Sequence, residues 1–190
     1  MNSATPNNEV IESLSKKLDD YIGYRAGKSK QRAFLNDRVL EVSRRQPEIL
    51  TLRAKLLGIG GAEIVALPLS LGIDPFVPLL EKFGQVMEGR GVTYRRMEPS
   101  ECHVNVARLW EERKKWSRLI GVGTGYALSD NGLWRGHSWG LNKRGIIETT
   151  VSQVKYFGLP LVGKGADWFC RRVSGRKTKR DDEGAKSRND

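Results

Sequence analysis

Asp130-Asn131-Gly132 most constrains what this chain can fold into. An Asn-Gly pair takes up the positive φ angles of a tight hairpin turn at little cost, because glycine has no Cβ and asparagine tolerates the left-handed region. The runs on either side, Gly121–Ser129 and Gly132–Leu141, are therefore expected to pair as antiparallel strands. Asn142-Lys143-Arg144-Gly145 makes the next turn and leads into Gly145–Val151. Tyr156–Val162 reads as a fourth strand, weakened by Pro160, which has no N–H to donate to a ladder. An antiparallel sheet of about four strands is the expectation.

The chain ahead of this sheet reads as helical. Val10, Ile11, Leu14, Leu18, Tyr21 and Ile22 recur at helical spacing over Glu9–Ile22. A second helix is expected over about Ser29–Arg45, with Phe34, Leu35, Val39, Leu40 and Val42 as its apolar stripe. Gln46-Pro47 biases the backbone out of helix, and Pro47 can begin the next one, which runs to about Leu57 and stops at Gly58. Leu56–Gly72 fits either a Gly-bent strand or a short buried helix. Asp74-Pro75 begins another helix, expected to end near Gly89–Gly91. Val92-Thr93-Tyr94 is strand-like. A helix over about Glu101–Lys115 follows, with Ser100 as N-cap and Cys102 in its first turn. Ala166–Val173 reads as a last short helix. The fold class is thus α+β: a helical N-terminal half, then a central Cys-bearing helix packed on the sheet. Residues 1–8 read as a disordered leader, 9–173 as one domain (9–91 mainly helical, 92–173 helix plus sheet), and 174–190 as a basic disordered tail.

Composition narrows the function classes. The net charge is +11, and Arg171–Asp190 supplies only part of it, with eight Lys/Arg against four Asp/Glu. Such a balance favours acidic partners or a merely positive surface. The N-terminus lacks the apolar core of a signal peptide, and no run of about 18 apolar residues exists to span a membrane. Two cysteines, Cys102 and Cys170, do not make the dense disulfide framework of a small secreted domain. A cytoplasmic location is the expectation.

A thiol, an imidazole and a carboxylate follow one another in the helix-plus-sheet part: Cys102, His137 and Glu148. The thiolate is the nucleophilic form of cysteine. A helix N-terminus lowers the thiol pKa through its partial positive charge and free N–H groups. An imidazole lowers it further and relays the proton, and a carboxylate orients the imidazole. Alternation along the strand puts Arg135, His137 and Trp139 on one face and Trp134, Gly136 and Ser138 on the other. Trp139 is expected beside the imidazole, shielding it from water. Asn105, one turn after Cys102, is placed either to donate to the site or to cap a loop. The Cys102 N–H is the first oxyanion donor, and Tyr94 is a candidate second. His103 diverges from Cys102 on the helix and is expected to face solvent or a partner.

The passage resembles the transglutaminase-like branch of the papain-like cysteine enzymes. The resemblance lies in Cys102 at a helix start, Gly125-Tyr126 at a strand end, His137-Ser138-Trp139 in the next strand and Glu148-Thr149-Thr150 in the third. It covers about fifty residues and none of residues 1–98. Glu148 stands where that family usually has Asp, and the apolar spacing of the Cys102 helix is offset by one residue. The resemblance implies a papain-like core and thiol-dependent acyl chemistry on a peptide or other acyl substrate, as peptidase, amidase or acyl transferase. Cys102 would then attack, His137 act as base and then acid, and Glu148 orient His137. No cofactor enters this reading. Cys102, His103, His137 and Cys170 are soft metal ligands, but their spacing fits no paired zinc motif.

Two other readings stay open at this level. Cys102, His137 and Glu148 can each be structural: a small buried hydrophobe, a satisfied buried histidine and a surface strand residue. The whole chain can also be a non-catalytic binding module, with Lys28, Lys30, Arg32, Arg44, Arg45 and the tail contacting nucleic acid or an acidic protein.

Overall fold

The computed structural model of the chain describes residues 28–67, 73–87, 91–115 and 118–174. The leader, the helix expected over Glu9–Ile22 and the tail past Ser174 lie outside the described residues. The fold is α+β. Helix α1 covers residues 28–43, followed by α2 (Glu48–Ile59), the short strand β1 (Glu63–Ile64) and α3 (Val77–Phe83). Then come β2 (Gln85–Met87), β3 (Val92–Tyr94), α4 (Cys102–Glu111) and a 3₁₀ turn at Arg113–Lys115. The last described elements are β4 (Leu119–Leu128), β5 (Leu133–Asn142), β6 (Gly145–Glu148), β7 (Lys155–Leu161) and α5 (Lys164–Val173).

The hairpin forms as the turn residues dictate. Gly132 has φ +80°, and the Ser129 and Gly132 amides close the loop onto the Leu133 and Ser129 carbonyls. β4 and β5 then pair antiparallel from Leu128↔Trp134 to Leu119↔Asn142.

The sheet is larger than the four antiparallel strands expected. It has seven strands in the order β2-β7-β4-β5-β6-β3, with β1 attached to β5, and it is mixed because β1 and β3 pair in parallel. The additions are two or three residues long, too short to show a period, and their partners are remote in sequence. The undecided Leu56–Gly72 region resolves at its start into the end of α2 and then β1. The helix begun at Asp74 is shorter than expected. Asp74 Oδ1 accepts the Phe76 amide at 2.9 Å, and the helix stops at Gly84, so Gln85–Met87 is free to pair with β7.

The two sheet faces are covered differently. Tyr126, Leu128, Trp134 and Phe157 pack under α2 and α3 with Leu52, Leu56 and Leu80. On the same face, Val122 meets the α4–α5 pair through Val106, Leu109, Ala166 and Phe169. The opposite face is built from Trp139, Tyr156, Ile146 and Ala127. There, Trp139 lies flat over β4, which explains two glycines. A Cβ at Gly123 would clash with Trp139 Nε1, and one at Gly158 would meet the Thr124 carbonyl oxygen at 2.5 Å and Trp139 Cη2 at 2.8 Å.

One irregularity positions the site. On its far edge, β5 is paired at its start by β1 (Leu133, Trp134) and at its end by β6 (Gly140–Asn142). Residues 135–139 pair only with β4, so that edge is open between the two short partners. Arg53 holds β1 in place through paired bonds from Nε and Nη2 to buried Glu63, at 2.7 and 2.6 Å.

Candidate functional site

The first turn of α4 is set against the open stretch of β5. His103 Nδ1 lies 2.7 Å from Ser138 Oγ, and Ser138 Oγ donates to Thr124 Oγ1 at 3.0 Å. Cys102, the first residue of α4, lines a cavity of about 880 Å³ together with His137. The N-cap is Glu101 rather than Ser100, and among the described residues no side chain caps the helix. Ser100 instead takes φ +61°, a left-handed backbone that non-glycine residues rarely adopt. The first-turn N–H groups have no intrahelical partner, so an uncapped helix start leaves donors facing the cavity wall that Ser100 and Cys102 form.

His137 is buried on the cavity floor. Its Nε2 lies 2.9 Å from Glu148 Oε2, which leaves Nδ1 as the nitrogen for the Cys102 thiol. The ring stacks beside Trp139, with centroids 6.1 Å apart and planes at 25°. Glu148 is fully buried, which removes the surface-strand reading. Its oxygens are saturated. Oε1 accepts the Thr149 and Thr150 amides at 2.9 Å each and Thr150 Oγ1 at 3.1 Å. Oε2 accepts Tyr156 Oη at 2.9 Å besides meeting His137. A longer carboxylate than Asp is thus accommodated at the end of β6.

Electrostatics follows from this geometry. Burial would push the Cys102 thiol up, but hydrogen bonding and charge from His103 and His137 outweigh it and hold the pKa at about 5. Burial would lower His137. The thiolate on one side and Glu148 on the other raise it to about 9. Burial likewise opposes ionisation of Glu148, yet the imidazole bond and charge, the Thr150 amide and the Tyr156 hydroxyl keep its carboxyl below the usual range. Both shifts favour a thiolate–imidazolium pair beside the carboxylate at neutral pH.

Cys102 and His137 line one cavity, Glu148 meets His137 from the other side, and Trp139 stacks beside the ring. Asn105 is buried and turned to the preceding loop, where Nδ2 donates to the Glu98 carbonyl at 2.7 Å, so loop capping is its part. Tyr94 reaches the cavity wall, and its hydroxyl donates to Ser152 Oγ at 2.7 Å. His103 is exposed but not idle, since it braces Ser138 and helps hold the thiol ionised. Cys170 lies apart in the α4–α5 cluster. Among the described residues no group of three or more His, Cys, Asp or Glu is placed to hold a metal ion. Lys28, Lys30, Arg32, Arg44 and Arg45 are exposed on and just after α1. No described helix is long and apolar enough to cross a membrane.

Sequence reasoning missed Tyr156 and the Thr149–Thr150 amides as the anchors of Glu148. Tyr156 begins the recognised fourth strand, but its reach to Glu148 depends on β7 pairing with β4 rather than with β6. No family model matches the chain, and neither a curated protein nor a solved structure matches it.

Proposed function

We propose that this protein performs thiol-dependent acyl chemistry on an amide or thioester, as peptidase, amidase or acyl transferase. One observation carries the reading: a thiol at an uncapped helix start meets an imidazole whose other nitrogen is held 2.9 Å from a buried carboxylate, at the floor of an open cavity. Perturbed titratable groups held together in a cavity are the pattern that acyl chemistry requires. The same arrangement supports reading α4 with β4, β5 and β6 as a papain-like core, to which β1, β2 and β3 are edge additions.

The thiolate of Cys102 attacks the carbonyl carbon. A C–S bond forms, and the carbonyl π electrons move to oxygen, where the first-turn N–H groups stabilise the charge. The His137 imidazolium donates its proton to the leaving nitrogen or sulfur as the bond to carbon breaks. Neutral His137 then takes a proton from water, or from an amine or thiol acceptor, as that group attacks the thioester. Release of the acid or transferred acyl product restores the thiolate–imidazolium pair. Glu148 keeps the ring in the tautomer and orientation that both proton transfers need.

The test is acylation by a thiol-selective activated ester, read by intact mass and peptide mapping. Labelling is expected at Cys102 and lost in Cys102→Ser. Labelling of Cys170 without Cys102 would sink the proposal.

A further inference from the structure

The walls of the cavity are basic. Arg135 precedes His137 by two residues on the same face of β5, which puts its backbone about 7 Å from that of the imidazole. Arg96 comes from another element. The Arg95 and Met97 amides donate to the Glu148 and Thr149 carbonyls at 2.8 and 2.9 Å, so the chain after β3 runs on beside β6 and carries Arg96 to the cavity. Among the described residues no Asp or Glu lines the cavity, and neither arginine is ion-paired. Arg135 is held by neutral oxygens, with Nη1 donating to Ser129 Oγ at 2.9 Å and Asn131 Oδ1 at 3.1 Å, both at the hairpin turn. Glu148, the nearest buried carboxylate, is consumed by its own partners and offset by the imidazolium. Two guanidinium-bearing residues therefore line the cavity that Cys102 also lines, without a described protein counter-ion.

We infer that the cavity selects an acyl substrate carrying an anionic group, carboxylate or phosphoryl, which Arg96 and Arg135 hold beside the carbonyl that Cys102 attacks. This rests on the acyl-chemistry reading above. Guanidinium forks suit both anions, because each presents paired oxygens to paired N–H donors. A cavity of about 880 Å³ has room for such a group alongside the reacting bond.

The experiment compares alkylation of Cys102 by iodoacetate and by iodoacetamide, in which the thiolate forms a C–S bond and expels iodide from an anionic or a neutral reagent. The rate ratio, iodoacetate over iodoacetamide, is expected to fall about three- to tenfold in Arg96→Gln and in Arg135→Gln, the loss of one nearby charge at partly screened distance. Arg135→Lys should keep most of the ratio. Removing two charges outside the cavity, Lys143→Gln with Arg144→Gln in the β5–β6 turn, should not move it. A ratio unmoved by either cavity variant, or lowered equally by the turn variant, overturns the inference while leaving the reactive thiol intact. Failure of iodoacetamide to prefer Cys102 over Cys170 at neutral pH overturns the acyl-chemistry reading itself. Protection of Cys102 by glutarate marks a carboxylate-bearing substrate, and protection by inorganic phosphate marks a phosphoryl-bearing one. Protection by neither counts against the anion site.

Discussion

Cys102 and Cys170 are both free and both buried, yet the fold makes them chemical opposites. Cys170 sits in α5 among Val106, Leu109 and Phe169. Burial, with the charges of Glu111 and Asp167, pushes its thiol up to about 12. Cys102 is nearly as enclosed, but both histidines of the chain converge on it and hold it at about 5. Burial alone therefore does not decide whether a thiol is inert. The decision lies with the charged groups that the fold presents to the sulfur, and here β5 presents the His137 imidazole while α4 itself supplies that of His103.

The largest expected effect breaks the comparison at its source. His137→Ala should lower acyl turnover by about 10²–10⁴-fold, the usual worth of a positioned acid–base group. Glu148→Gln should also lower it, by up to about 10⁴-fold if the wrong tautomer is imposed. In Glu148→Gln the His137 pKa should fall, because its carboxylate partner has gone. The alkaline limb of the pH–rate profile would then retreat from about 9 toward the ordinary imidazole value. In the unmodified protein, activity should fall below about pH 5, as the thiolate takes up a proton, and above about pH 9, as the imidazolium loses one. A limb near the ordinary thiol value would show that the ion pair does not form.

The next effect sharpens the contrast between the thiols. At pH 7 the thiolate fractions differ by about 10⁵, but the lower-pKa sulfur is intrinsically less nucleophilic by about 10³, which leaves Cys102 faster by about a hundredfold toward an aromatic disulfide. Its rate should be flat between about pH 6 and 8, where an ordinary thiol gains almost tenfold per unit. Stopped-flow with Cys170→Ala and Cys102→Ser separates the two sites.

The smallest effect concerns Cys170 as a packing residue. Cys170→Ser places a hydroxyl in an apolar cluster and should cost about 1–3 kcal/mol if no partner is found. Urea unfolding measures this, and Cys102 acylation should be unchanged. A loss of labelling at Cys102 would mean that the α4–α5 contact also sets the site.

Much of the fold and of the site is legible from local signals. The Asn131-Gly132 turn carries its own conformational preference, so the pairing of β4 with β5 follows from those residues alone. Strand alternation then puts His137 and Trp139 on one face. Ser100 reads as a cap because cap preference is an average over helices, whereas the backbone of this chain turns left-handed at that residue. The part Asn105 plays depends on where the Glu98 carbonyl lies, which no local pattern records. β1 and β2 offer no period at all.

The sequence by itself determined that a helix-borne thiol, a strand-borne imidazole and a carboxylate follow one another around a hairpin. Turn chemistry and side-chain periodicity are properties of neighbouring residues, and they survive without tertiary context. Only the tertiary structure decided that the imidazole meets the carboxylate beside the cavity the thiol lines, that Tyr156 and two backbone amides anchor the carboxylate, and that Arg96 and Arg135 line that same cavity. Those relations rest on pairings across long stretches of chain, β3 with β6 and β7 with β4, and on a gap in the pairing of β5. Local propensity carries no record of such a gap. It arises because two short strands cover the two ends of one long edge and leave its middle to the helix that brings Cys102.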